Sequence, residues 1–393
     1  MRMDQTNSPE FDIIVIGAGP AGSAAASRAA RHGATVALVD KASFPRTKLC
    51  GGLFTERSHQ TYCKVFDRQF DFSHAVTRRE IEFWHDNKCL SSLPDVPPMH
   101  LTMRIDLDKR LFTHAIEDGA HDFSGKSIAS LDGTDVTFRD GCTIRGRVLI
   151  GADGVNSITA RALFGAPFDK STIGFGLEVE VAPDEQIPTE QPLRVDFGAA
   201  NWGYGWSFPK QGSTTVGVGG LLNSNPDMKG QFSTYLKAQG LDHDPRRFKG
   251  HYLPFGDFRV VPGRGAVLLA GDAAGLVDPI TGEGIALAME SGHLAARAAL
   301  DAINASAPET ALDRYQVALK DMHRSLRIAR GIRRIVFAPG WQQTFVGAFR
   351  RSGTLRTQYL QLLAGQVEYP ELARNMLRRL PRLVVNRLGG HRF

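Results

Sequence analysis

Phe11-Asp12-Ile13-Ile14-Val15-Ile16-Gly17-Ala18-Gly19-Pro20-Ala21-Gly22 joins a run of β-formers to glycines at the three positions of G-x-G-x-x-G. A small-residue stretch of helical propensity, Ala21 to Arg31, follows at once, so the spacing predicts strand, tight turn and helix. In that arrangement Gly17 permits the turn, Gly19 lets backbone approach a pyrophosphate, and Gly22 lets helix and strand pack closely. The helix N-terminus then faces the phosphates with unpaired N–H groups and the positive end of its dipole. A second strand, Thr35 to Val39, closes on Asp40, where an acid can bond an adenosine ribose hydroxyl. A glycine-rich turn by itself is a weak signal. With both strands, the helix and the acid in place, it reads as a dinucleotide cradle.

Working outward, 393 residues suffice for two domains and an appendage, and 42% hydrophobic with 22% charged residues is ordinary for a globular chain. No apolar stretch approaches the ~18 residues of a transmembrane helix. Met1 to Glu10 form a short polar arm without the apolar core of a signal peptide, which predicts a cytoplasmic protein. Cys50, Cys63, Cys89 and Cys142 contain no C-x-x-C pair, so neither a disulfide framework nor a metal site is expected. The net charge of +6 is uneven: Lys320 to Phe393 hold 15 basic residues against 3 acidic, while residues 1–319 are net negative. No recognisable nucleic-acid module interleaves aromatic and basic residues, so no nucleic-acid partner is expected.

Strand-like and helix-like stretches alternate to about residue 165, and the chain then turns β-rich from roughly 170 to 260, with short runs at Leu193–Phe197 and Thr214–Val218. Three further patches flank that region. Met103-Arg104-Ile105-Asp106-Leu107-Asp108 opens a helix with Arg104 at its start. Val148-Leu149-Ile150-Gly151-Ala152-Asp153-Gly154 is a buried strand broken by an acid-bearing turn. Val267-Leu268-Leu269-Ala270-Gly271-Asp272 is another strand ending at an acid, and Gly282-Glu283-Gly284-Ile285 leads into a helix running from about Gly284 to Ala302. Taken singly, each has a plain structural reading, and Arg104 in particular can simply pair with a neighbouring carboxylate.

Together and in this order, over roughly residues 11–300, these motifs resemble the flavoprotein family of aromatic hydroxylases, flavin-dependent halogenases and geranylgeranyl reductases. The resemblance implies an α/β fold: an interrupted Rossmann-type FAD-binding domain (11–75, 100–169 and 260–305), a β-rich substrate domain (76–99 and 170–259) and a C-terminal basic helical region (306–393). It implies FAD as cofactor, held by Gly17, Gly19, Pro20, Ala21 and Gly22 at the pyrophosphate. Asp40 and Lys41 would lie at the ribose, with Arg104, Gly271 and Asp272 along the phosphate and ribityl chain. The backbone of Gly282, Gly284 and Ile285 would meet the flavin N1–C2=O edge, where a helix dipole favours the anionic reduced ring. Asp153 either contributes to the dinucleotide surface or is a structural turn.

Two segments narrow the branch. Tyr204-Gly205-Trp206-Ser207-Phe208-Pro209-Lys210 resembles the Tyr-x-Trp-x-Phe-Pro-Lys signature of geranylgeranyl reductases, and Cys50-Gly51-Gly52 resembles their Cys-Gly-Gly loop near the flavin ring. Halogenases carry Trp-x-Trp-x-Ile-Pro, from which Tyr204 and Phe208 depart. The resemblance therefore implies reduction of carbon–carbon double bonds in a hydrophobic prenyl chain, with Tyr204, Trp206 and Cys50 as catalytic candidates and NAD(P)H or a ferredoxin-like protein as electron donor. A flavin monooxygenase is the alternative, with halogenase or non-catalytic flavoprotein behind it. Tyr204 and Trp206 offer apolar walls and cation–π attraction to developing positive charge, with Tyr204 also placed to pass a proton, or they are ordinary strand packing. Cys50 either gates the ring or is small enough to let backbone approach it. In the tail, Arg324, Arg327, Arg330 and Arg334 recur at helical spacing with Ile328, Ile332 and Ile335 on another face, and Arg350, Arg351, Arg378, Arg379, Arg382 and Arg387 follow. That pattern is either a peripheral membrane contact or the solvated face of a helical cap. Oligomeric state is not legible.

Overall fold

The structure is a computed structural model that describes residues 8–182, 190–241, 244 and 247–375. Its organising element is β1 (Glu10–Ile16), a β-branched strand whose residues 13–15 are wholly buried. It enters an eight-stranded sheet in the order β17 (Gly263–Arg264), β18 (Val267–Leu269), β11 (Thr143–Gly151), β1, β2 (Val36–Asp40) and β8 (His121–Ser124), with β10 (Asp135–Phe138) and β9 (Ile128–Asp132) joined to β11. The β18–β11–β1–β2–β8 run is parallel, as crossover helices require. The chain thus leaves this sheet after β11 and returns to it at β17. A Rossmann-type parallel sheet interrupted by other structure is what the sequence predicts.

Helix α1 (Pro20–Arg31) lies against α6 (Ile285–Asn304), and both are rich in alanine where they meet. The contact is close because a Cβ at Gly292 of α6 would stand 2.0 Å from the Ala21 carbonyl oxygen. Two helices that open at opposite ends of the sequence are thereby locked side by side. The α3 helix (Arg104–Glu117) begins where expected, and α4 (Ile158–Phe164) follows the acid-bearing turn.

A seven-stranded sheet runs β16 (Lys249–Leu253), β12 (Gly174–Val181), β15 (Ser213–Leu221), β14 (Tyr204–Lys210), β13 (Leu193–Asp196), β5 (Ile81–His85) and β6 (Lys88–Leu93). The region read as β-rich also contains a helix, α5 (Met228–Ala238), started by an Asp227 cap; Phe232, Tyr235 and Leu236 pack it on Leu177, Val179, Val216 and Val218. Strand alternation sends the opposite residues of β12 and β15 to the other face, which is where the site forms. A three-stranded sheet, β3 (Leu53–Thr55), β7 (Met99–Thr102) and β4 (Ala75–Arg78), carries α2 (Glu56–Phe66).

The tail region forms α7 (Ala311–Ala318), α8 (Lys320–Phe337), α9 (Pro339–Arg351) and α10 (Gly353–Leu363). Phe337, Phe349, Leu360, Leu363 and Tyr369 share one apolar cluster with Phe83, Phe197, Trp206 and Phe208, so these helices cover the seven-stranded sheet. The buried face of α8 is Met322, His323, Leu326, Ala329, Arg333 and Val336, not the isoleucine face read from the sequence. Ile328 and Ile332 are half-buried and Ile335 is exposed, because Arg333 takes the inward position, donating to the Phe255 carbonyl at 2.8 Å and lying over the Phe255 ring. Residues 1–7 of the arm, and Arg378, Arg379, Arg382 and Arg387, lie outside the described residues. Among the described residues no helix is long and apolar enough to cross a membrane. All four cysteines are free.

Candidate active site

At the end of β1, Gly17 takes φ +94° and its N–H donates to the Val39 carbonyl. A Cβ on Gly22 would lie 1.6 Å from the Gly17 carbonyl oxygen, so the turn closes only with glycine there. Asp40 accepts from Ala18 N at 2.9 Å, tying the tip of β2 to the turn, and Lys41 follows it. Helix α1 starts at Gly19–Pro20–Ala21 with no side-chain cap and no acid in its first turn. Beside Gly19 the space is open: a Cβ there would meet nothing closer than Arg46 Nη2 at 3.6 Å and Arg104 Nη2 at 4.0 Å. Asp108, wholly buried, fixes both cations, at 3.0 Å from Arg46 and through a two-point pair with Arg104 at 2.6 and 2.8 Å. Burial works against the charge on Arg104, but Asp108 outweighs it and holds the guanidinium pKa above its ordinary value. The pairing expected as the plain reading of Arg104 is present, and it serves to aim the guanidinium.

The second half of the site hangs on β18. Gly271 packs on Ala21 of α1 and its N–H donates to Ser291 Oγ at 2.9 Å. The Asp272 carboxylate faces Gly284, 3.8 Å from where a Cβ of that residue would stand. The loop between them is set by two half-buried carboxyls. Asp278 accepts from Ile280 N, Thr281 N and the Tyr369 hydroxyl, and Glu283 from Ser58 Oγ and Ala286 N. Burial pushes both carboxyls up in pKa. Gly282 adopts φ +70°, and α6 then opens at Gly284–Ile285 with no acid in its first turn.

The third part is a wall. Tyr204, Trp206, Phe208 and Lys210 of β14 point to one face, and the Cys50–Gly52 loop lies on it: a Cβ at Gly51 would be 3.1 Å from Trp206 Nε1, and one at Gly52 2.7 Å from Lys210 Cε. Across the sheet Trp206 pairs with Gly217, which in turn pairs with Glu178. The missing side chain at Gly217 leaves room for the indole, since a Cβ there would sit 2.3 Å from Trp206 Cζ2. Glu178 is buried and accepts from Cys50 N at 3.1 Å through Oε1, while Oε2 has no partner. Burial drives its pKa up to about 7 against the pull of Lys210 and the Cys50 N–H. Trp206 Nε1 is likewise buried without a partner. The Tyr204 hydroxyl donates to the Thr281 carbonyl at 2.5 Å, and burial raises its pKa, so this phenol holds its proton and braces the loop.

Asp153 lies against the cradle, its Cα 2.7 Å from where a Cβ of Gly17 would stand. Its carboxylate accepts from Ser157 Oγ, Ile158 N and Thr159 N, capping α4, which corresponds to the structural-turn alternative. Sequence reasoning missed Glu178, Arg46, Asp108 and the half-buried pair Lys48–His251, whose side-chain nitrogens lie 2.5 Å apart. Burial lowers both pKa values, that of His251 to about 4, with the charges of Lys48, Arg104 and Lys41 adding to the effect on His251. One signal was available: in Gly174–Val181 two acids, Glu178 and Glu180, alternate with apolar residues and so share a face.

Three features fit a flavin dinucleotide: the uncapped start of α1, guanidinium groups over the open side of Gly19, and unpartnered buried polar atoms on the wall. Residues 12–114 match the family model described as FAD dependent oxidoreductase, and residues 260–326 match that of an FAD binding domain. The chain is 31% identical over 392 residues to the menaquinone reductase of Mycolicibacterium smegmatis, covering 91% of this chain and 92% of that protein. It is 31% identical over 318 residues to the geranylgeranyl diphosphate reductase of Rhodobacter capsulatus, covering 76% and 77%. The crystal structure of a geranylgeranyl bacteriochlorophyll reductase-like protein from Thermoplasma acidophilum superposes with a TM-score of 0.76 at 20% identity, over 95% of this chain and all of that one.

Proposed function

Because the chain belongs to the geranylgeranyl reductase family of FAD-dependent oxidoreductases, we propose that it saturates carbon–carbon double bonds in the prenyl chain of a diphosphate, quinone or lipid. Bound and reduced, the flavin supplies a hydride; one alkene carbon receives it and the other receives a proton. An external reductant of the NAD(P)H or ferredoxin class restores the reduced cofactor.

The protein's part is alignment, exclusion of water and the proton. Arg46, Arg104 and the start of α1 hold the pyrophosphate, Asp40 the ribose, and Asp272 with the Gly282–Ile285 backbone the ribityl chain and ring edge. Tyr204, Trp206 and Phe208 form the apolar wall along which an alkene lies, their faces tolerating the positive charge that develops as hydride is delivered. Glu178, rather than Tyr204, is the proton source, since its carboxyl is poised near neutrality beside Cys50. Cys50 sets the distance between loop and ring. The observation that carries this reading is the meeting of the Cys50–Gly52 loop with the Tyr204–Lys210 strand over Glu178. We further propose that the exposed basic face of α8 brings the enzyme to the lipid surface where such chains reside.

Anaerobic incubation of the dithionite-reduced, FAD-loaded protein with geranylgeranyl diphosphate in one arm and menaquinone in another tests it. A product heavier by two hydrogens is expected in either arm, weighed in the menaquinone arm after air has reoxidised the quinol ring to the quinone. Turnover that requires oxygen and yields a hydroxylated product would instead establish a monooxygenase.

A further inference from the structure

At the start of α2 three side chains with metal-ligating atoms converge: Glu56 and His59, one turn apart, and His100 on β7. Their ligand atoms all lie within 4.8 Å of one another. His59 Nδ1 is 3.5 Å and His100 Nε2 3.9 Å from the same oxygen, Glu56 Oε2. Both nitrogens are buried and make no hydrogen bond. His100 is only 6% exposed, so this is a polar atom sealed in the protein with nothing to satisfy it.

The surroundings are arranged for ligation. His100 Nδ1 lies 2.9 Å from Thr77 Oγ1, an outer partner that leaves Nε2 directed at the cluster. Gln60 Nε2 donates to Glu56 Oε1 at 3.1 Å, which leaves Oε2 directed the same way. Phe72 packs on both imidazoles, its centroid 4.3 Å from that of His100 and 5.1 Å from that of His59, and shields the site. Tetrahedral zinc with bonds of about 2.0–2.1 Å sets its donor atoms roughly 3.3 Å apart. The Glu56–His59 and Glu56–His100 separations of 3.5 and 3.9 Å exceed this by about 0.2 and 0.6 Å, so the three side chains must draw together to reach that geometry.

We propose that Glu56, His59 and His100 bind a divalent transition ion of the zinc class, with a fourth position open to water. Two imidazoles and one carboxylate form a mixed nitrogen–oxygen donor set that suits zinc better than magnesium or calcium. The cysteine spacing gave no hint of it because no cysteine takes part. The ion ties the first turn of α2 to β7, across from Phe54 of β3, and so fastens the strand that emerges from the Cys50–Gly52 loop.

The FAD-loaded protein, stripped with chelator and dialysed against zinc chloride, is the test, with metal counted by elemental mass spectrometry and thermal melting followed in parallel. One zinc per chain and a raised melting temperature are expected, since ligand binding to the native state stabilises it. His59→Gln and Glu56→Gln, both at half-exposed positions, should abolish the uptake and the shift while melting like the metal-free parent. Thr77→Val should weaken uptake by about 10–100-fold. A parent chain that takes up no zinc in stoichiometric excess, or His59→Gln and Glu56→Gln variants that bind it as the parent does, overturns the proposal.

Discussion

At the scale of single residues, the site turns on a carboxyl and a glycine. Glu178 has a folded-state pKa near 7, above the ordinary carboxyl value, because burial disfavours its charge. Its folded form therefore binds a proton that the unfolded chain has already released, and the stability this lends is complete at acid pH and lost as pH rises through about 7. Glu178→Gln should accordingly melt like the parent at pH 5 and above it at pH 8, by up to about 3 kcal/mol. Turnover should move the other way: the parent's rate falls as pH climbs through 7, whereas the variant is slow and flat. Thermal melts and a kcat–pH profile read the two signs separately, and a variant that keeps the parent's profile removes Glu178 from the chemistry. Gly217→Ala tests the wall. The added methyl falls on the indole of Trp206, so the ring must shift at a cost of about 1–3 kcal/mol. Intrinsic fluorescence should change and turnover drop, and combining it with Trp206→Phe should recover most of the lost melting temperature.

At the scale of elements, what could be read from the chain was what neighbours in sequence create. The β1 turn, the start of α1, the glycine-rich approach to α6 and the arginine at the head of α3 are each local patterns, and each element lies where its residues predict it. Arg46 and the Glu56–His59–His100 cluster gain their meaning from elements brought together by the sheets; Glu178 and Asp108 carry a local signal, alternation with apolar residues and the i, i+4 spacing from Arg104, but nothing in it tells that they meet Cys50 and Arg46. Gly292 belongs with these. Its sequence neighbours offer only a glycine inside an alanine-rich helix, which alone reads as a weakness, whereas in the fold it lets α6 touch the backbone of α1. Gly292→Ala should therefore gain helix propensity and still destabilise, lowering the melting temperature and releasing FAD more readily, because the helices must part by at least a methyl radius. Circular dichroism melting with and without added FAD measures both; a variant more stable than the parent would show that the contact relaxes freely.

For the whole molecule, the uneven charge of the sequence becomes a spatial arrangement. The C-terminal helices do two things at once: their buried faces complete the cluster around Trp206 and Phe208, and Tyr369 reaches back to Asp278 in the ring-edge loop. Their outward face carries Arg324, Arg327, Arg330 and Arg334, all exposed, and ends at two exposed apolar side chains, Ile335 and Trp341. A basic stripe bordered by an exposed indole is the composition of a surface that rests on anionic lipid, where each basic residue near the headgroups is worth about 1 kcal/mol and tryptophan settles at the interface. An enzyme that draws an apolar chain past the wall of β14 gains from having its cover pressed to the bilayer, since the chain then never crosses water. Co-sedimentation with vesicles containing phosphatidylserine should capture the protein at low salt and release it at high salt, with little capture by phosphatidylcholine alone. Replacing Arg324, Arg327 and Arg334 by glutamine should remove most of the capture, and Trp341→Ala should weaken what survives at high salt. A protein that stays in the supernatant with both lipids at low salt makes this face a solvated surface and leaves the chemistry at Glu178 and Trp206 untouched.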